Sequence, residues 1–190
     1  DNAIYSKDET ELVTVTIVSE FKVPDTVTVI GPDVFFNNTN LISVEIPSSV
    51  VKIGDSAFNS CKNLRSIQLP EKLVEIGENC FWGDDSLSVV RIPATVTNIG
   101  YGAFLNCKGL TAVYFYGDLP QFQSSEPTMR ANMIFSSCRK LKTAYYPNGN
   151  TTWTADGVAK TLSYQVEKGK TLTWSTWDPS TVQSISSAQI

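Results

Sequence analysis

Cys61, Cys80, Cys107 and Cys138 are the side chains of this 190-residue chain best suited to chemistry. A thiolate is a nucleophile and a soft metal ligand, and two thiols at the right distance close a disulfide. Each use needs a partner. A nucleophilic cysteine or serine needs a base, ordinarily histidine, and the chain has 0 histidines. Zinc needs convergent ligands at short spacing, and no Cys-x-x-Cys pair occurs. The 19 acidic residues are scattered without a paired motif for acid and base work, and Gly83-Asp84-Asp85 reads as a turn. The expectation is therefore no enzyme, no metal and no cofactor.

What places the cysteines is a repeat. Pro24, Pro47, Pro70 and Pro93 recur every 23 residues. Six positions after each comes Ile-Gly (Ile30-Gly31, Ile53-Gly54, Ile76-Gly77, Ile99-Gly100), and eleven after it a phenylalanine (Phe35, Phe58, Phe81, Phe104). Further apolar columns run Val27, Val50, Leu73, Val96, then Leu41, Leu64, Leu87, Leu110, then Val44, Ile67, Val90, Val113. Cys61, Cys107 and Cys138 share one column with Asn38 and Asp84, whereas Cys80 stands in the small-residue column of Val34, Ala57 and Ala103. Buried free thiols are the expectation. A Cys107 to Cys138 disulfide is the alternative, because these two are neighbours in their column.

A unit this short cannot bury its apolar face alone, so the units must stack and share a core. The segments "LISVEI", "LRSIQL", "LSVVRI" and "LTAVYF" have the alternation of short strands, each ended by a residue that is most often proline. The fold class expected is an α/β solenoid, mostly β, with one parallel sheet along one side and turns along the other. It has about five repeats and a β-rich C-terminal cap. Glycine after the isoleucine suggests a tight turn or a positive φ. The fifth unit is longer, 31 residues from Tyr116 to Tyr146, which puts an insertion near 117–134. Upstream, Leu12, Val15, Val18, Phe21 and Val23 match the Phe, Cys, Leu, Val and Ile columns, although simple β alternation in "ELVTVTIV" explains part of the same pattern. The division expected is 1–23 as a partial repeat or cap, 24–146 as repeats, and 147–190 as the cap.

Bulk properties exclude other classes. A net charge of −4 without a basic run argues against nucleic acid. No apolar run approaches the roughly 18 residues of a membrane span. The chain starts at Asp1, which suggests that a leader has been removed.

Leu-x-x-Val-x-Ile-Pro, then Val-x-x-Ile-Gly, Ala57-Phe58 and Cys61 to Leu64 resemble the BspA-like leucine-rich repeat family over about Pro24 to Pro147. "YYPNGNTTWT" resembles the stretch that follows the last repeat in such proteins. Proline directly after the strand departs from common leucine-rich repeats, so their horseshoe curvature is not implied. The resemblance implies a bacterial cell-surface or secreted protein, some relatives of which adhere to host matrix proteins or cells.

Scaffold columns aside, recognition is expected on the outward face of the strands. Its central column reads Glu45, Gln68, Arg91, Tyr114 and Tyr145, flanked by Arg65, Lys142 and Tyr116. Tyrosine beside arginine is the composition of protein interfaces, although tyrosine is also simply a good strand residue. The insertion, with Phe122, Met129 and Arg130, is the second candidate. Trp153, Trp174 and Trp177 are assigned to the cap in preference to sugar stacking. A protein ligand is the leading partner, with a glycan or a spacer role as alternatives.

Overall fold

The structure is a computed structural model that describes residues 2–123, 133–153, 165–167 and 170–181. It places each repeat as one turn of a coil whose neighbours lie in parallel register. The strands of one side are β3 (Glu20–Lys22), β5 (Ser43–Glu45), β8 (Val89–Ile92), β10 (Ala112–Phe115), β12 (Thr143–Pro147) and β15 (Thr173–Trp177). They form a two-stranded pair β3-β5 and a four-stranded sheet in the order β15-β12-β10-β8, while β13 (Gln165–Glu167) and β14 (Lys170–Thr171) pair antiparallel by themselves. No strand forms in "LRSIQL". The bond from the Arg65 amide to the Ile42 carbonyl is stretched to 3.4 Å, so the ladder breaks there while Ile67 and Leu69 stay buried.

The expectation of a single sheet needs correction. A second, seven-stranded sheet runs along another side in the order β1-β2-β4-β6-β7-β9-β11. Its members are β1 (Ala3–Tyr5), β2 (Glu11–Val15), β4 (Val29–Ile30), β6 (Lys52–Ile53), β7 (Glu75–Ile76), β9 (Asn98–Gly100) and β11 (Gln121–Gln123). All pair in parallel except the opening hairpin β1-β2. The physical reason is the Pro-x-x-Val step. The Val50 amide bonds the Pro47 carbonyl at 3.2 Å and the Leu73 amide bonds that of Pro70 at 3.0 Å, so the chain turns sharply and re-enters the ladder as a two-residue strand. Among the described residues the helical content is one 3-10 turn, Pro179–Thr181, and no α-helix appears, so the α part of the expected class is not found.

The glycine after each isoleucine is required for proximity, not for a left-handed φ. A Cβ on Gly54 would stand 2.7 Å from the Pro32 nitrogen, and one on Gly77 would stand 2.5 Å from the Gly54 carbonyl carbon. Side chains are excluded because successive turns touch there through backbone. Within the repeats the left-handed residues lie instead around the phenylalanine, at Asp33, Ser56, Asn79 and Gly102 and again at Asn37, Ser60, Gly83, Asn106 and Ser137. Asp, Asn and Gly accept that conformation readily. Between such turns the Phe35 amide bonds the Ala57 carbonyl at 2.7 Å and the Phe58 amide bonds that of Cys80 at 2.9 Å, so this side is also tied turn to turn.

Inside, Phe35, Phe58, Phe81, Phe104 and Phe135 stack face to face with centroids 4.9, 5.3, 5.1 and 5.7 Å apart. The spacing is set by the strand separation of about 4.8 Å. The leucine, valine and isoleucine columns fill the rest of one continuous core.

Register corrects the expectations at both ends of the repeat array. Phe21 pairs with Val44, as expected, but Leu12 pairs with Ile30, not with the phenylalanine column. The opening turn is shorter than the others, and alternating β sequence there fits either register. In the fifth turn Gln121, Phe122 and Gln123 pair with Asn98, Ile99 and Gly100 at the ordinary period. The Phe104 amide then bonds Ile134, which takes the alanine column. The added residues therefore lie after Gln123, in the later part of the expected 117–134 stretch. Past Pro147, where the period ends, β15 joins β12 in parallel, with Ala144 opposite Trp174 and Tyr145 opposite Ser175.

Candidate functional site

Parallel pairing without a register shift puts like positions side by side. Arg91 of β8, Tyr114 of β10 and Tyr145 of β12 are direct partners on the outward face, followed by Ser175 of β15. Strand alternation sends these residues out while Val90, Val113 and Ala144 point into the core. Tyr114 and Tyr145 stack with centroids 4.6 Å apart and planes at 9°. The Arg91 guanidinium carbon lies 5.9 Å from the Tyr114 ring centroid, at the limit of a cation–π contact.

Trp177 completes the cluster. Its ring meets Tyr114 edge-on at 5.1 Å and Tyr116 edge-on at 4.7 Å, and its Nε1 donates to the Phe115 carbonyl at 2.9 Å. Three tyrosines and a tryptophan, all half-buried, are thus locked by each other and by the backbone, with exposed Arg91 at their margin. Such rings present area without further ordering. Sequence reasoning assigned Trp177 to the cap. The alternation in "TWSTW", matched against "TAYYP" of β12, is the signal that would have found it.

Beneath this face Trp153 is buried, with its ring 4.8 Å from Phe115, 5.3 Å from Tyr146 and 5.5 Å from Trp174. Its Nε1 donates to the Gly117 carbonyl at 2.9 Å. Trp153 and Trp174 therefore act in packing.

The other expected residues separate. Arg65 and Gln68 are exposed, Gln68 one period before Arg91, in the segment that forms no strand. Phe122 is a correction: it is only 9% exposed and occupies the isoleucine column beside Ile99, so it belongs to the core. Met129 and Arg130 lie outside the described residues.

The cysteine column is scaffold. All four thiols are free and buried. The Sγ of Cys61, Cys107 and Cys138 donates to the carbonyls of Phe35, Phe81 and Phe104 at 3.1, 3.0 and 3.0 Å, one turn back in each case. Burial pushes the Cys61 and Cys80 thiols up, with the Asp84 carboxyl adding to it. Burial likewise raises Cys107, and the neighbouring Cys138 thiol adds to that. These are inert thiols, not nucleophiles.

Asp84 stands in the same column, fully buried, and neither carboxyl oxygen has a hydrogen-bond partner among the described residues. Burial holds this carboxyl well above the usual carboxylate range, and the Asp85 charge adds to it. The Cys61 amide opposes the shift, but it is committed to the Phe58 carbonyl at 3.1 Å. No group of three or more potential ligands that could hold a metal ion occurs among the described residues.

Parallel ladders wound from one repeated unit, with strands throughout and a shared core, define a leucine-rich-repeat type of fold. The profile of the BspA type leucine rich repeat region matches residues 14–129 and 91–163, in 6 copies, and the chain belongs to that family. A leucine rich cell surface protein from Faecalibacterium prausnitzii is similar at 26% identity and a TM-score of 0.66, over 86% of this chain and 41% of that one. The pneumococcal vaccine antigen PcpA shares the fold at 20% identity and a TM-score of 0.71, over 93% of this chain and 46% of that one. A Treponema pallidum (T. pallidum) leucine rich repeat protein does so at 19% identity and a TM-score of 0.55, over 80% of this chain and 85% of that one. The chain thus spans less than half the length of the first two. No curated protein matches it. Among the described residues no helix is long and apolar enough to cross a membrane.

Proposed function

We propose that this chain is a non-catalytic binding module of a bacterial cell-surface or secreted protein, and that it recognises another protein through the outward face of β8, β10 and β12. The observation that carries the reading is the Tyr114–Tyr145 stack, braced by Trp177 and bordered by Arg91. Aromatic and arginine side chains held rigid before contact are the usual centres of binding energy at protein interfaces. Family membership, and the cell-surface relative, support the location.

The test is a binding screen of the chain against purified extracellular matrix proteins, followed by Arg91→Ala and Tyr145→Ala on any partner found. Each substitution should weaken binding by about 2 kcal/mol, roughly thirtyfold, with little change in melting temperature. Unchanged affinity in both variants would remove the face from consideration. Binding on a glycan array with none to proteins would favour a carbohydrate ligand.

A further inference from the structure

Charge is distributed unevenly around the coil. At the corner where each turn passes from the cysteine column into the outward strand, Lys62, Arg65, Arg139, Lys140 and Lys142 are exposed. None of the five has a carboxylate within ion-pair distance among the described residues. Lys108 shares the column of Lys62 and Arg139 and pairs with Asp85 at 3.3 Å. The only other acid there among the described residues, Asp84, is buried. The corner after the second ladder carries the opposite sign, with Asp55 and Glu78 in one column and Asp33 in the next. In a chain of net charge −4 this basic corner is a local arrangement and not a reflection of composition.

The corner adjoins the aromatic face. Lys142 immediately precedes β12, which carries Tyr145, and Arg91 lies on the face itself. From the Lys62 turn to the Arg139 turn is three steps of the stack, or about 14 Å at a strand separation of about 4.8 Å. An extended polypeptide covers that distance in four or five residues at about 3.3 Å each, with alternate side chains on one side. Carboxylates at alternate positions would meet successive basic groups.

We infer that the partner of this face is an acidic polypeptide segment, bound in extended form along the basic corner with its flanking residues on Tyr145 and Trp177. This rests on the protein-binding reading above and adds the chemical class of the partner. Rim charges of this kind set association rate and partner choice, and their effect falls with salt.

The experiment uses a labelled oligoglutamate of about ten residues, long enough to span the corner when extended, beside an oligolysine and a heparin-derived oligosaccharide. The wild-type chain should bind oligoglutamate alone of the two peptides, and raising salt from about 0.05 M to about 0.5 M should weaken it at least about tenfold. Arg139→Glu/Lys140→Glu/Lys142→Glu should lose a further factor of about ten. Lys7→Glu/Lys52→Glu/Lys72→Glu, the same charge change elsewhere, should lose less than about threefold. Equal losses in both triples would overturn the inference, as would binding of the heparin fragment without oligoglutamate. If the first triple leaves the affinity for a matrix partner intact while Tyr145→Ala weakens it, the acidic class falls and the protein-binding face survives. If neither affects it, both fall.

Discussion

Asp84 is the residue most at odds with its surroundings, because its column otherwise donates to backbone. Cys61, Cys107 and Cys138 each place a proton on a phenylalanine carbonyl, and the corresponding carbonyl for Asp84 is that of Phe58. Only the protonated acid can play this part. Its folded-state pKa is raised by burial, so the stability it allows is fully present below the ordinary carboxylate value of about 3.9 and is lost as pH rises toward the folded value. Asp84→Cys should therefore match the wild type near pH 4 and exceed it by about 1–3 kcal/mol at neutral pH. Urea titrations at the two values check this, and a constant difference would contradict it. At Gly77, alanine should cost roughly 1–3 kcal/mol or more, since its Cβ would meet the neighbouring turn at 2.5 Å.

At the scale of elements, the phenylalanine stack ties the turns together. Phe81→Ala should destabilise by about 3–5 kcal/mol, read from thermal or urea unfolding, because its ring is sandwiched between Phe58 and Phe104. This column was legible in the sequence, as were the outward partners Arg91, Tyr114 and Tyr145. Identical types recurring at one spacing reveal both period and face. The role of glycine was not legible. A small residue announces that something is close without saying what, and here it is the next turn's backbone and not a turn conformation. The second ladder was missed because two-residue strands leave no alternation to read. Phe122 lies one ordinary period from Ile99, but the surplus length of the fifth unit does not reveal where its regular part ends. Trp177 escaped because β15 joins β12 after the period has ended.

For the whole molecule, the register makes turns interchangeable. Removing residues 48–70 joins Pro47 to Glu71, the same step that now joins Pro70 to Glu71, and returns every column to register. The shortened chain should fold cooperatively with a lower midpoint, since repeat arrays lose one unit and one interface at a time. The excision also brings Asn38 next to Asp84 in their column. Among the described residues Asn38 Nδ2 is a buried donor without a partner, and Asp84 has buried oxygens without one. The loss in stability should therefore be smaller than for removing residues 94–116, which leaves both groups apart. Circular dichroism melts of the two deletions compare them, and a greater loss from the first would refute the pairing.

The backbone bonds between turns point along the axis of the coil, as in Phe35 to Ala57 and Gly54 to Ile30. Tension applied between the two ends of the stack would load them one after another, as in a zipper, and not all at once in shear. Each regular turn that gives way would release its 23 residues, a gain of about 70 Å of contour for the roughly 5 Å it occupied. The coil would then behave as an extensible tether that lengthens in equal steps over its regular turns and in a longer one at the fifth, and single-molecule pulling would record them as a sawtooth of low, similar forces.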